Sequence, residues 1–130
     1  MNISQAAAAS GVSAKMIRHY EAIGLVPKPR RSGANYRVYA QSDVHTLRFV
    51  RATRELGFSM SEIGELLDLW RDRRRSSRKV KALVTAHVRE LERRIVELQA
   101  MKGTLEHLAH SCHGDERPDC PILERLESGR

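Results

Sequence analysis

Val84, Leu91, Leu98 and Leu105 recur at intervals of seven, with Val88, Ile95 and Ala109 on the companion series and a break at Lys102 beside Met101. A sustained seven-residue apolar repeat predicts one helix, here over residues 80–110 and about 45 Å long. Nothing C-terminal to it is large enough to cover such a stripe. The helix either folds back on residues 42–70 or pairs with a second copy, antiparallel or parallel, and the length of the stripe favours a homodimer. A chain of 130 residues also leaves no room for a barrel enzyme or a full dinucleotide-binding domain. No run approaches a membrane span, and Met1-Asn2-Ile3-Ser4 leads straight into a structural pattern rather than a secretory signal. A cytoplasmic protein with no membrane partner is expected.

The formal charge of +7 is unevenly spread. Residues 1–39 carry Lys15, Arg18, Lys28, Arg30, Arg31 and Arg37 against the single acid Glu21. A second cluster, Arg71, Arg73, Arg74, Arg75, Arg78, Lys79 and Lys81, has only Asp72 against it. Fields of this sign attract nucleic-acid phosphates, although charge alone would also draw acidic proteins or anionic membranes.

The N-terminal pattern narrows that choice. Residues 3–9 read as a short helix with Ser4 as its N-cap, and Gly11 supplies a left-handed residue in the turn after it. Ser13 caps a second helix that runs to about Ala22, with Met16, Ile17 and Tyr20 as its apolar stripe, and Gly24 stops it. Two short helices joined by a tight turn, the second one cationic, form a helix-turn-helix. Pro27 and Pro29 forbid further helix. Val26, Tyr36 and Val38 around the Ser32-Gly33-Ala34-Asn35 turn suit a small hairpin, placed as a wing. Ser42 and Asp43 open a third helix with Val44, Leu47 and Val50 inward, which Gly57 ends. Ser59 and Glu62 form a capping box for a fourth helix with Ile63, Leu66, Leu67 and Trp70 on one face.

A DNA-reading surface follows from these placements. Small Ala14 lets the second helix approach a groove, and Lys15 and Arg18 can donate to phosphates or to guanine acceptors. His19 and Tyr20 extend the surface, Tyr20 with its ring inward and its hydroxyl toward a phosphate. Arg31, Tyr36 and Arg37 make positioning contacts from the wing, and Arg54 is counted with them.

The run from Gly11 to Leu25 resembles the MerR-family signature, with its turn, recognition helix and glycine stop in this order. Asn35-Tyr36-Arg37-Val38-Tyr39 fits that family's wing, and Leu56-Gly57-Phe58-Ser59-Met60-Ser61-Glu62-Ile63 its junction between the third and fourth helices. The resemblance covers essentially the whole chain. It implies a mainly α fold, in which a winged helix-turn-helix N-terminal domain (1–70) and a hinge (71–79) precede an antiparallel coiled-coil dimerisation helix (80–110). A C-terminal metal-binding loop with a short helix (111–130) completes it. The expected partners are double-stranded promoter DNA and RNA polymerase.

Cys112 and Cys120 are the chain's two cysteines. Gly114 and Pro118 can fold the intervening loop so that they face one another, and Pro121 fits the first position of a terminal helix reaching about Leu126. Cys120 then stands near the N-cap, where free backbone N–H groups favour a thiolate. Two soft thiolates suit a two-coordinate Cu(I), Ag(I) or Au(I), whereas structural zinc asks for four ligands. This loop is similar to that of the copper-efflux, Cu(I)-responsive branch of the family. The resemblance implies a role for the partner subunit's Ser77, where divalent-ion sensors carry a cysteine, and for its Lys81 as a charge-offsetting group. His113 stands where several relatives have proline, and it is either a turn histidine or a third ligand. The implied function is activation of copper-efflux and detoxification promoters by metal-dependent distortion of operator DNA. Two rivals are an enzyme with Cys112 as nucleophile, for which the chain offers no enclosing pocket, and an architectural DNA-binding protein whose cysteines form a disulfide.

Overall fold

The computed structural model describes residues 1–129. The elements are α1 (Ile3–Ser10), α2 (Ala14–Ala22), β1 (Arg30–Arg31), β2 (Arg37–Val38), α3 (Gln41–Glu55), α4 (Met60–Arg71), α5 (Ser77–Ser111) and α6 (Pro121–Ser128). They form the expected mainly α architecture: a winged helix-turn-helix, a long helix, then a loop with a short terminal helix. Two compact units divide the chain, Met1–Val84 and Thr85–Arg130.

In the first unit, α1 is capped by Asn2 rather than by Ser4. The Asn2 carboxamide accepts from the Gln5 N–H at 2.8 Å, and the Gln5 side chain accepts from the Asn2 N–H at 2.9 Å. Both residues are acceptable caps, but only Asn2 has a glutamine three positions on to return the bond. Gly11 ends the helix at φ 75°, its N–H donating to the Ala7 carbonyl at 2.9 Å. The backbone conformation demands glycine there, whereas the Arg51 guanidinium that a Cβ would meet is the end of a flexible, exposed side chain that can swing aside. Ser13 caps α2, its hydroxyl accepting from the Met16 N–H at 3.2 Å.

The wing is smaller than its sequence suggests. Each strand has two residues, paired antiparallel as Arg30 with Val38 and Arg31 with Arg37. Val26 lies outside the hairpin and is buried in the core, and Tyr36 sits exposed at the turn. Asn35, at φ 66°, supplies the left-handed residue of that turn.

α3 begins one residue before Ser42, with the Asp43 carboxylate accepting from the Ala40 N–H at 2.8 Å. The Ser59–Glu62 capping box on α4 is present in both directions, at 2.9 and 3.2 Å. Ala6, Val12, Ile17, Tyr20, Val26, Tyr39, Leu47, Val50, Ile63 and Leu67 form one cluster. Helices α1, α3 and α4 thus hold the recognition helix α2 from behind. Trp70, at the end of the apolar face of α4, is 40% exposed and stacks on Phe49, centroids 4.7 Å apart. α5 starts at Ser77, so residues 77–79 of the expected hinge are helical.

In the second unit, charges on α5 are neutralised along the helix. Arg93 pairs with Glu90 and Glu97, Arg94 with Glu90, and Lys102 with Glu106. Val88, Ile95, Leu98 and Leu105 of the heptad stripe are exposed in the single chain, whereas Leu108 is buried.

Candidate functional site

Two constellations carry the chemistry. The first lies on α2 and the wing. Lys15, Arg18 and His19 are exposed on α2, and Ala14 beside them is half-buried. Arg18 bridges two grooves: one of about 350 Å³ shared with Lys28, Arg31 and Arg37, and one of about 240 Å³ shared with Arg31, Tyr36 and Arg37. The recognition helix and the wing therefore present one continuous cationic surface. Arg31 steadies its own turn by donating to the Asn35 carbonyl at 3.1 Å. The Tyr20 ring is buried, as expected, and its hydroxyl accepts from Arg54 Nη1 at 2.9 Å. Arg54 on α3 is thereby tied to the back of α2, and the Tyr20 hydroxyl proton is left to donate elsewhere.

Two residues of this surface escaped the sequence reading. Glu21 is 5% exposed, yet it accepts from the Tyr39 hydroxyl at 2.6 Å and stands 3.4 Å from Arg37 Nε. Burial raises the Tyr39 pKa well above the ordinary value of 10, the Glu21 carboxylate raises it further, and the charges of Arg37 and Arg18 pull it down. The signal was available: Glu21 is the one acid among six cations in residues 1–39.

The second constellation is the loop between α5 and α6. It brings the Cys112 and Cys120 sulfurs to 3.7 Å of one another, both half-buried. Cys120 occupies the N-cap position of α6, with Pro121 in the first turn. Its thiol pKa is lowered from the ordinary 9.0, chiefly by the Leu123 backbone N–H and also by the Cys112 thiol and the Ile122 N–H. Burial and the Glu124 carboxylate oppose this. Asp115 is engaged by Arg117, whose backbone N–H and Nε each donate to it at 2.9 Å, and the guanidinium holds its carboxyl below the usual carboxylate range. Asp115 therefore closes the turn. Among the described residues no group of three or more His, Cys, Asp or Glu side chains is gathered as a metal site, so neither His113 nor Asp119 joins the two sulfurs. Ser77 and Lys81 lie on the first turns of α5, exposed, in the other unit.

The sulfur pair fits a soft ion. A metal–thiolate bond is about 2.3 Å, so two sulfurs on opposite sides of one ion stand about 4.6 Å apart. Opening the observed pair by about 1 Å would suffice.

Residues 1–70 match the family described as "MerR HTH family regulatory protein", and residues 44–108 match "MerR, DNA binding". The chain belongs to the MerR family. It is 57% identical over 129 residues to "Heavy metal-dependent transcription regulator 2" of Rhizobium meliloti (strain 1021), covering 99% of this chain and 88% of that protein. It is 46% identical over 126 residues to the HTH-type transcriptional regulator CueR of Salmonella typhimurium (strain LT2), covering 97% and 91%. Among solved structures it is similar to the transcription regulator PbrR691 from Ralstonia metallidurans CH34, in complex with lead(II). There the TM-score is 0.84 at 31% identity, over 97% of this chain and 98% of that one. Membership of the MerR family makes the chain a DNA-binding transcriptional regulator and sets aside the enzyme reading. Among the described residues, no helix is long and apolar enough to cross a membrane.

Proposed function

We propose that this MerR-family regulator senses Cu(I), with Ag(I) and Au(I) as alternatives, through Cys112 and Cys120, and activates copper-efflux and detoxification promoters. The observation that carries this reading is the sulfur pair at 3.7 Å with no third ligand gathered around it among the described residues. A divalent soft ion such as the lead(II) of the PbrR691 structure would draw further ligands. The chain has no third cysteine to offer.

The residues divide the work. Cys120 is pre-disposed to lose its proton at the N-terminus of α6, and Cys112 completes the grip. Two thiolates around a singly charged ion leave a net negative centre, which the α6 N-terminus and the partner subunit's Lys81 offset. The partner subunit's Ser77 closes the space without adding a thiolate, and His113 stays on the turn. The bound ion supplies the link that holds loop 112–120 in one arrangement.

Residues 80–110 act as the dimerisation helix, antiparallel in the homodimer, with 1–70 as the DNA-binding domain, 71–79 as the hinge and 111–130 as the metal-binding segment. Ala14, Lys15, Arg18 and His19 face the operator, and Arg31, Tyr36 and Arg37 hold it from the wing, while Tyr20, buried with Arg54 on its hydroxyl, braces the recognition helix from behind instead of reaching a phosphate. Ordering the sensor loop shifts the two DNA-binding heads relative to one another. The promoter duplex is then bent and undertwisted so that RNA polymerase engages both of its elements. The setting is cytoplasmic.

Metal stoichiometry and X-ray absorption on the purified dimer test the assignment. Two sulfur neighbours and no nitrogen around one Cu(I) support it. A nitrogen or oxygen shell, or a preference for a divalent ion, overturns it.

A further inference from the structure

Residues 71–81 carry seven cations and one acid, Asp72, and every side chain from 71 to 79 is exposed. Asp72 is already engaged, accepting from the Arg74 N–H at 2.9 Å. Arg75 clasps the end of α4, donating to the Trp70 and Asp72 carbonyls at 3.2 and 3.3 Å. α5 then opens with no acid in its first turn and with Arg78 and Lys79 instead, like charge on a helix end that is itself positive. Further along the same helix Arg93, Arg94 and Lys102 all find carboxylates. Among the described residues, no ion pair includes any cation between 71 and 81. Charge of this density repels itself, and an anionic partner relieves the repulsion.

The composition selects the partner. Five of the seven cations are arginines, whose planar forks match phosphate oxygens. Residues 71–79 contain no apolar side chain, so the segment lacks the desolvated centre of a protein interface and has nothing to insert into a membrane. It also belongs to the same compact unit, Met1–Val84, as the recognition helix and the wing.

We propose that the joint between α4 and α5 is a second DNA-binding surface, holding duplex phosphates without regard to sequence through Arg73, Arg74 and Arg78. This rests on the DNA-binding reading and adds a footprint outside the helix-turn-helix and wing. The three side chains have no other partner among the described residues, so replacing them leaves the α4 cap untouched.

The test measures binding of the full-length protein to a random-sequence 40-base-pair duplex by fluorescence anisotropy, from low to moderate salt. Each lost phosphate contact lowers the slope of log K against log salt by about 0.9. The triple variant R73S/R74S/R78S is expected to lose about 2 to 3 units of slope and at least tenfold in affinity, with an unchanged thermal melt. The variant R73K/R74K/R78K restores the slope, which a merely structural lesion would not do. An unchanged slope in the serine variant overturns the proposal, as does a defect confined to binding of an acidic polypeptide such as polyglutamate. An Arg31→Ser wing variant separates the two readings. If it weakens duplex binding while the joint variant does not, the helix-turn-helix reading stands and the second surface falls. If the wild-type protein does not bind the random duplex at all, the second surface falls.

Discussion

The Tyr39 hydroxyl donates to the Glu21 carboxylate at 2.6 Å, joining the end of the wing to the last turn of the recognition helix. Arg37 approaches the same carboxylate from the wing strand at 3.4 Å. The angle between the two DNA-facing elements is thus set by a buried acid that need not touch DNA itself.

Replacing that acid is expected to show in both stability and binding. Glu21→Ala strands the buried Tyr39 hydroxyl and takes away the carboxylate 3.4 Å from Arg37 Nε, and should destabilise the chain by about 1–3 kcal/mol in urea unfolding. DNA affinity should fall at constant net metal response, because the wing loses its anchor.

The same contact predicts alkaline sensitivity. Tyr39 holds its proton more tightly folded than unfolded, where its pKa is near 10. Its contribution is therefore complete below pH 10 and declines as pH rises above that value toward the elevated folded pKa. Stability measured from pH 9 upward should fall less steeply in Tyr39→Phe than in the wild type.

Gly11→Ala should cost about 1–2 kcal/mol from the left-handed backbone, because the flexible Arg51 guanidinium can swing away from a new Cβ. The double variant Gly11→Ala with Arg51→Ala should therefore be additive to within about 0.5 kcal/mol in a urea double-mutant cycle. A larger coupling would show that Arg51 is held against the turn.

Cys112→Ser and Cys120→Ser should each abolish Cu(I) binding, measured against a competing Cu(I) chelator, while leaving duplex binding intact. Because the Cys120 pKa is lowered, its alkylation by iodoacetamide should reach half its limiting rate below pH 9.0, the ordinary thiol value.

Leu98→Glu places a charge in the exposed heptad stripe. Sedimentation should show dissociation at micromolar concentrations, and operator affinity should drop with it. A variant that stays dimeric would place the dimer contact elsewhere.

Local chemistry made much of this fold readable in advance. Gly11, Gly24 and Gly57 all adopt the positive φ that their stop positions require, and the Ser59–Glu62 reciprocity follows from spacing alone. Asn2 was missed because Ser4 is an equally good cap and Gln5 decides between them. The wing was overdrawn because Val26 has strand chemistry, yet core burial claims it. The Glu21–Tyr39 bond spans 18 residues of chain, and no local pattern announces a contact of that reach. The sulfurs' approach is legible because Gly114 and Pro118 lie within the short loop that joins the two cysteines.

The open apolar stripe on α5 bears on how much regulator a cell can hold in working form. A newly made protomer shows quality-control proteases the same run of valines and leucines that an unfolded chain would show, and only association hides it. In the dimer proposed above, yield would rise with the square of synthesis rate at low expression.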